Sequence, residues 1–223
     1  MSRQAGVRIR VRAVLFDMDG VLISSIGSDE RSWLRWSHLH GMQGTFSIQW
    51  THGRRAIDTV RALRPDLDPV AEVRRLEDFD AEDHDGATAL PGVRDLLTRL
   101  KPTQWGIVTS ASERLMRNRL RSAGIAPPPA LVTADSVSRG KPDPEPYVLG
   151  AQKLGLVPAE CLVIEDAPAG IRAAKLAGCP ALAVASSHSK LELSEADWIV
   201  DSLEKVHLDC SETGMLDIQL EMV

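Results

Sequence analysis

The sequence predicts an α/β protein built on a doubly wound, mostly parallel sheet, with one small helical insertion. Three observations carry this: short, continuous apolar runs recur along the chain, helical segments stand between them, and one interval is far longer than the others. Runs that are apolar throughout, rather than alternating, suit strands buried on both faces of a parallel sheet. Strands and helices in alternation place ligands in the crevice beyond the carboxyl ends of the strands.

The predicted strands are AVLF (13–16), WGIVT (105–109), ALVTA (130–134), CLVIE (161–165) and ALAVA (181–185). The helices carry their own punctuation: Pro91 opens PGVRDLLTRL, Pro168 opens PAGIRAAKLAG, and Gly178 stands where a helix stops. The later strands follow one another at roughly 20–30 residues, close to one βαβ unit, whereas residues 17–104 separate the first two. Something is inserted there. Residues 24–88 hold Trp33, Trp36 and Trp50, lack a convincing strand, and show helical patterning in SDERSWLRWSHLHG and DPVAEVRRLEDFDAED. Trp33 and Trp36, one helical turn apart, fit the core of this helical cap better than a platform for stacking a sugar. LEDFDAEDHDG reads as a solvated connection, from which Glu77 could face the cleft.

The two ends of the chain alternate instead. Val7, Ile9 and Val11 interleave with Arg8, Arg10 and Arg12, while Leu216, Ile218, Leu220 and Met222 interleave with Asp217, Gln219 and Glu221. Both read as half-buried strands, and the opposite sign of their polar faces predicts that they pair with each other.

At 223 residues the chain can bury one sizeable core, alone or with a small second domain. The 26 Lys and Arg against 31 Asp and Glu leave a net charge of −5, so no basic field recommends a nucleic acid. Cys161, Cys179 and Cys210 are odd in number with no close pair, which argues against a disulfide framework or thiolate zinc site and fits a reduced, cytoplasmic protein. MSRQAGVRIRVR lacks the apolar stretch of a signal peptide, and no membrane span is expected. His38 and His40 cannot face one way on a helix, so they do not read as a zinc pair.

The first strand ends on Asp17 and Asp19. The plain reading is a polar turn reversed at Gly20. In an extended chain, however, residues i and i+2 point the same way, so the two carboxylates could share a ligand. Keeping both ionised then requires a cation nearby. A calcium hand is excluded, because Val21 and Leu22 stand where its loop needs Asx and Gly. Thr109 and Ser110 close the second strand, Lys141 follows the third, and Glu165-Asp166 close the fourth. Each alone reads as a cap, a turn or a helix start; in register at four strand ends they read as one site.

Taken in order, DMDGVL, VTS, GKPDPEPY and EDAPAG resemble the four motifs of the haloacid dehalogenase superfamily over nearly the whole chain. HGRRAID, VTSAS and VTADSVSRGKPDPEPY further resemble its capped phosphatases of glycerol phosphate and small sugar phosphates. The resemblance implies a Rossmann-like catalytic core over 1–23 and 89–223 with a cap over 24–88. Asp17 would be the nucleophile that forms an aspartyl phosphate, and Asp19 the general acid and base. Mg²⁺ would be held by Asp17, the Asp19 carbonyl and Asp166, with Glu165 direct or one step removed. Lys141 would bridge nucleophile and phosphate, and Thr109 and the Ser110 amide would hold a phosphate oxygen.

An acid two residues after the nucleophile has no task when the leaving group is a halide, so Asp19 favours phosphoryl transfer over dehalogenation. In the cap, His52, Arg54 and Arg55 offer substrate contacts, Arg55 foremost by resemblance; a solvated basic helix start is the other reading. Many relatives carry an acidic residue after GVL, where this chain reads ISS; Ser24 or Ser25 can still cap the first cap helix. The expected enzyme is a Mg²⁺-dependent phosphatase of a small phosphorylated sugar or polyol, cytoplasmic, a monomer or weak homodimer, with no nucleic-acid or membrane partner. A sugar phosphomutase of the β-phosphoglucomutase type is the alternative, and a catalytically silent sugar-phosphate-binding protein a more distant one.

Overall fold

A computed structural model describes residues 7–82, 87–210 and 214–221. Six strands form the central sheet: β2 (Ala13–Phe16), β5 (Trp105–Val108), β6 (Ala130–Val132), β7 (Cys161–Glu165), β8 (Ala181–Val184) and β9 (Trp198–Val200). Their spatial order is β6-β5-β2-β7-β8-β9, and every pairing is parallel. All four residues of β2 are buried because its alternating side chains enter two cores. Val14 and Phe16 pack with Met116 and Leu120 of α5 (Glu113–Ala123). Ala13 and Leu15 pack with Tyr147 of α6 (Glu145–Lys153) and Ile171 of α7 (Pro168–Ala177). Helices on both faces explain the unbroken apolar runs.

From β2 the chain builds outward through β5 and β6 on one side, then through β7, β8 and β9 on the other. Strand order therefore reverses beside β2, and the crevice beyond its carboxyl end lies at that switch point. Pro168 opens α7 and Gly178 closes it at φ 86°, as the sequence predicts. Pro91 falls short of its predicted role: α4 (Val93–Thr98) begins two residues later, behind Gly92.

The chain ends pair as predicted. β1 (Val7–Val11) and β11 (Leu216–Leu220) are antiparallel, with Arg10 opposite Asp217, and the two side chains form an ion pair of 3.0 Å. A third strand, β10 (Val206–Cys210), was not expected; it pairs with β11 on its other edge. Met222 lies outside the described residues.

The insertion is helical. α1 (Ile26–Leu39), α2 (Ala56–Leu63) and α3 (Pro69–Ala81) pack around Trp33, Trp36, Val60 and Leu76. Trp33 and Trp36 are the centre of this core, edge to face at 5.4 Å, and the Trp36 indole donates to Glu72 at 2.8 Å. The insertion is entered and left through a two-residue ribbon not foreseen in the sequence, β3 (Ile23–Ser24) against β4 (Thr88–Ala89). Two cap readings need correction. Ser25 stands at the N-cap of α1, yet its hydroxyl makes no capping bond; it donates to Asp19 instead. Residues 76–81 are not a solvated connection but the last turns of α3, with Leu76 and Glu77 buried; Asp83–Gly86 lie outside the described residues.

Trp36 is fully buried, so Trp36→Ala is expected to lower unfolding free energy by about 3–5 kcal/mol, measured by urea denaturation. Arg10→Ala, at a solvent-exposed pair, should shift the same measurement by less than about 1 kcal/mol.

Candidate active site

Asp17 follows the end of β2, Thr109 the end of β5, and Glu165 and Asp166 the end of β7, so three adjacent parallel strands deliver their polar termini to one crevice. Lys141 comes from the loop between β6 and α6. Its ammonium is buried and uses all three donors: Asp17 Oδ1 at 2.5 Å, Glu165 Oε1 at 2.6 Å and the Val108 carbonyl at 3.0 Å.

Glu165 is wholly buried and saturated. Its Oε1 also accepts from the Tyr147 hydroxyl at 2.7 Å, and its Oε2 from the amides of Asp166 and Ala167 at 3.0 and 3.2 Å. A Cβ at position 170 would collide with this carboxylate, which accounts for the glycine in EDAPAG. Glu165 thus anchors Lys141 and offers no open oxygen, so of the expected metal ligands it is the one positioned as support.

Asp17 and Asp166 differ in this respect. Among the described residues Asp17 Oδ2 and Asp166 Oδ1 have no donor, since Lys141 bonds the other oxygen of Asp17 and Ser187 that of Asp166. Ligand oxygens of Asp17, Glu165 and Asp166 lie within 4.8 Å of one another. Gly20, at φ 76°, allows the Asp166 carboxylate to lie against the turn, where a Cβ would strike it. Burial pushes the Asp17 carboxyl up to about 7 against the pull of Lys141. Burial, with Glu165 and Asp17, pushes Asp166 well above the carboxylate range. Burial disfavours charge on Lys141 too, but Asp17 and Glu165 more than offset it and hold the ammonium protonated. Burial keeps protons on Asp17 and Asp166 until a cation takes their place; with all three acids ionised, one ammonium leaves two negative charges to be balanced, and the open donors are all oxygen. The set fits a hard divalent cation such as Mg²⁺.

Asp19 points to the insertion. Its Oδ1 accepts from Ser25 and, at 2.8 Å, from Arg119 of α5. Thr109 is buried, its Oγ1 accepting from the Ala111 amide at 3.1 Å. The Ser110 hydroxyl donates to the Gly53 carbonyl at 3.0 Å, bringing the loop of His52, Gly53 and Arg54 down onto the strand end.

A cavity of about 640 Å³ runs from Asp17, Asp166 and Ser110 to Trp33, Arg54 and Arg74. Arg54 is exposed and has no ion-pair partner among the described residues. Arg55, expected foremost at the substrate, is occupied: it bonds Asp58 at 2.7 and 3.1 Å and the Val137 and Ser138 carbonyls at 2.9 Å, tying α2 to the core. The His52 ring meets His188 edge to face at 5.4 Å. Glu77 does face the cleft, accepting from Ser112 and, at 3.1 Å, from Arg114.

Four contributors escaped the sequence reading. Tyr147 stands inside GKPDPEPY without an assigned task, and Ser186, which donates to the Gly20 carbonyl, and Ser187 follow a predicted strand in the same register as the other motifs, which is the signal that could have found them. Arg119 had no such signal.

Residues 11–178 match the haloacid dehalogenase-like hydrolase family. Hexitol phosphatase A of Escherichia coli is 41% identical over 95% of this chain and 100% of its own length. Validoxylamine A 7'-phosphate phosphatase of Streptomyces hygroscopicus is 33% identical over 87% and 95%. Glycerol-1-phosphate phosphohydrolase 2 of Saccharomyces cerevisiae is 30% identical over 90% and 86%. Among solved structures, a hydrolase from Pseudomonas syringae superposes with a TM-score of 0.76 at 24% identity, covering 86% of this chain and 93% of that one. A β-phosphoglucomutase from Clostridium difficile does so at 0.74 and 24%, covering 86% and 92%; both share the fold. The chain belongs to the haloacid dehalogenase-like hydrolase family, and within it is a phosphoric monoester hydrolase.

The raised carboxyl groups fix the sign of a pH effect. Asp17 and Asp166 hold protons in the folded chain that an unfolded chain releases near pH 4, so their contribution is full below that pH; that of Asp17 is lost as pH rises through about 7, and that of Asp166, also raised, is lost in the same direction. Thermal melts with a chelator should show stability falling from pH 5 to 7.5, and added Mg²⁺ should raise Tm far more at pH 7.5 than at pH 5.

Proposed function

We propose that this chain hydrolyses the phosphate monoester of a small sugar or polyol, with Asp17 as nucleophile and a helical cap over residues 24–88 enclosing the substrate. The observation that carries the reading is the Lys141 ammonium, clamped between Asp17 and the saturated Glu165. That clamp holds the nucleophilic carboxylate in one orientation and places a fixed positive charge where phosphate oxygens must come. Asp17 Oδ2, without a protein donor among the described residues, is the oxygen left to attack phosphorus. The P–O bond to the sugar breaks as Asp19 gives its proton to the departing alkoxide; Asp19 then takes a proton from the water that attacks the aspartyl phosphate. Thr109 and the Ser110 amide would hold a phosphate oxygen at the end of β5, the Ser110 hydroxyl being engaged by Gly53.

Asp17 and Asp166, with the Asp19 carbonyl, would hold Mg²⁺. The ion would supply charge neutralisation that lets an anionic phosphate approach a carboxylate. The polyol assignment rests on kinship with hexitol phosphatase A and the yeast glycerol-1-phosphate phosphohydrolase. His52 and Arg54, on the cap loop above Ser110 and lining the cavity, would meet the sugar, whereas Arg55 bonds the core and seats the cap.

Purified protein with Mg²⁺ should release inorganic phosphate from hexitol 6-phosphates or glycerol phosphates in a panel with hexose 6-phosphates. Isomerised sugar phosphate with little free phosphate would overturn hydrolysis in favour of a mutase. Asp19→Asn should slow hydrolysis of an alkyl phosphate by about 10²–10⁴, measured by phosphate release.

A further inference from the structure

Arg119 lies on the helix that follows Thr109 and Ser110, outside the motifs themselves, and bonds three carboxylates from three separate segments. Its guanidinium is buried on α5, with NH1 donating to Asp19 Oδ1 at 2.8 Å and NH2 to Asp29 Oδ1 at 3.2 Å and Asp80 Oδ1 at 2.7 Å. Asp29 belongs to α1 and Asp80 to α3, so one core side chain joins two cap helices to the residue beside the nucleophile. The arrangement is reinforced from the cap side: Ser28 donates to Asp80 Oδ1 at 2.7 Å, and Ser25, at the entrance to α1, donates to Asp19 Oδ1. Both groups at Asp19 engage the same oxygen. Oδ2 is left without a donor among the described residues, on a side chain that lines the substrate cavity.

A buried ion cluster of this kind is poorly explained by stability. Desolvating a guanidinium and several carboxylates costs about as much as their attraction returns, and among the described residues Arg119 Nε has no partner. Three aspartates sharing one cation also repel each other. The cluster further borders a second cavity of about 220 Å³ lined by Ser25, Ser28, Asp80 and Arg119, so the Asp80 carboxylate has open space beside it at this joint.

We infer that Arg119 is a positioning residue: with Ser25 it turns Asp19 so that Oδ2 faces the leaving oxygen, and through Asp29 and Asp80 it makes that orientation depend on the seated cap. The inference rests on the proposed role of Asp19 as proton donor. It predicts a defect that scales with the need for a proton. An alkoxide must be protonated to leave, whereas p-nitrophenolate leaves with little help.

The test compares first-turnover rates, at saturating Mg²⁺, for the best alkyl phosphate of the panel and for p-nitrophenyl phosphate. Asp19→Asn is run beside Arg119→Lys, Arg119→Met and Asp80→Asn. Arg119→Lys keeps the charge but cannot span three carboxylates; it should lose about tenfold or more on the alkyl ester and less than about threefold on the aryl ester, in the direction of Asp19→Asn. Asp80→Asn, which leaves the core intact, should show the same contrast more weakly and decides the matter if the Arg119 variants do not fold. Equal losses on both esters, or none, while Asp19→Asn keeps its contrast, would overturn the role of Arg119 alone. Absence of the contrast in Asp19→Asn itself would overturn both the acid assignment and the inference built on it.

Discussion

One buried ammonium organises this molecule. Lys141 sits where β2, β5 and β7 end, and every one of its donors is taken by a different strand terminus: Asp17 after β2, the Val108 carbonyl of β5 and Glu165 of β7. A cation desolvated to this degree persists only because its anions cannot move away. Glu165 is fixed by Tyr147 and two backbone amides, and the glycine at 170 makes space for it. The parallel sheet therefore does more than support the site. It supplies the converging termini without which the charges would have no common meeting point.

The same economy governs the joint between cap and core. Ser110 reaches the Gly53 carbonyl, Arg55 reaches two carbonyls of the β6–α6 loop, Arg114 reaches Glu77 and Asp78, and Arg119 reaches Asp29 and Asp80. These contacts are polar and directional, unlike the apolar packing around Trp36 that holds the insertion together internally. On the proposed function, a cap with its own core and a hydrogen-bonded seat would separate from the sheet and return to one register, as enclosing a phosphate ester and releasing its product demands. Asp19 and its oxygen bonds lie on that seam.

The sequence revealed the sheet because burial on both faces leaves unbroken apolar runs, and it revealed the crevice because Asp17, Thr109, Lys141 and Asp166 each follow such a run. Pairing of the chain ends was legible from the opposite signs of Arg10 and Asp217. What stayed hidden depends on side-chain direction. Nothing in ISS says that the Ser25 hydroxyl turns to Asp19 rather than capping α1. Nothing in RNRLRSAG distinguishes Arg119 from Arg117 and Arg121, although only tertiary packing buries it. Arg55 illustrates the reverse case, in which a residue of the expected type and loop faces the core's carbonyls. β9 escaped because its run is three residues long, whereas VHLDC of β10 alternates apolar and polar residues over five, the signal that could have found it.

The central claim is that the Asp17 carboxylate, held by Lys141 beside an oxygen-only cation site, becomes covalently bonded to phosphorus. Rapid acid quench of the enzyme mixed with substrate and Mg²⁺, followed by peptide mass spectrometry, tests it most directly. The account predicts a phosphoryl group on the peptide containing Asp17, absent when a chelator is present. Undiminished phosphate release by Asp17→Asn, with no phosphorylated peptide in the native enzyme, would contradict it.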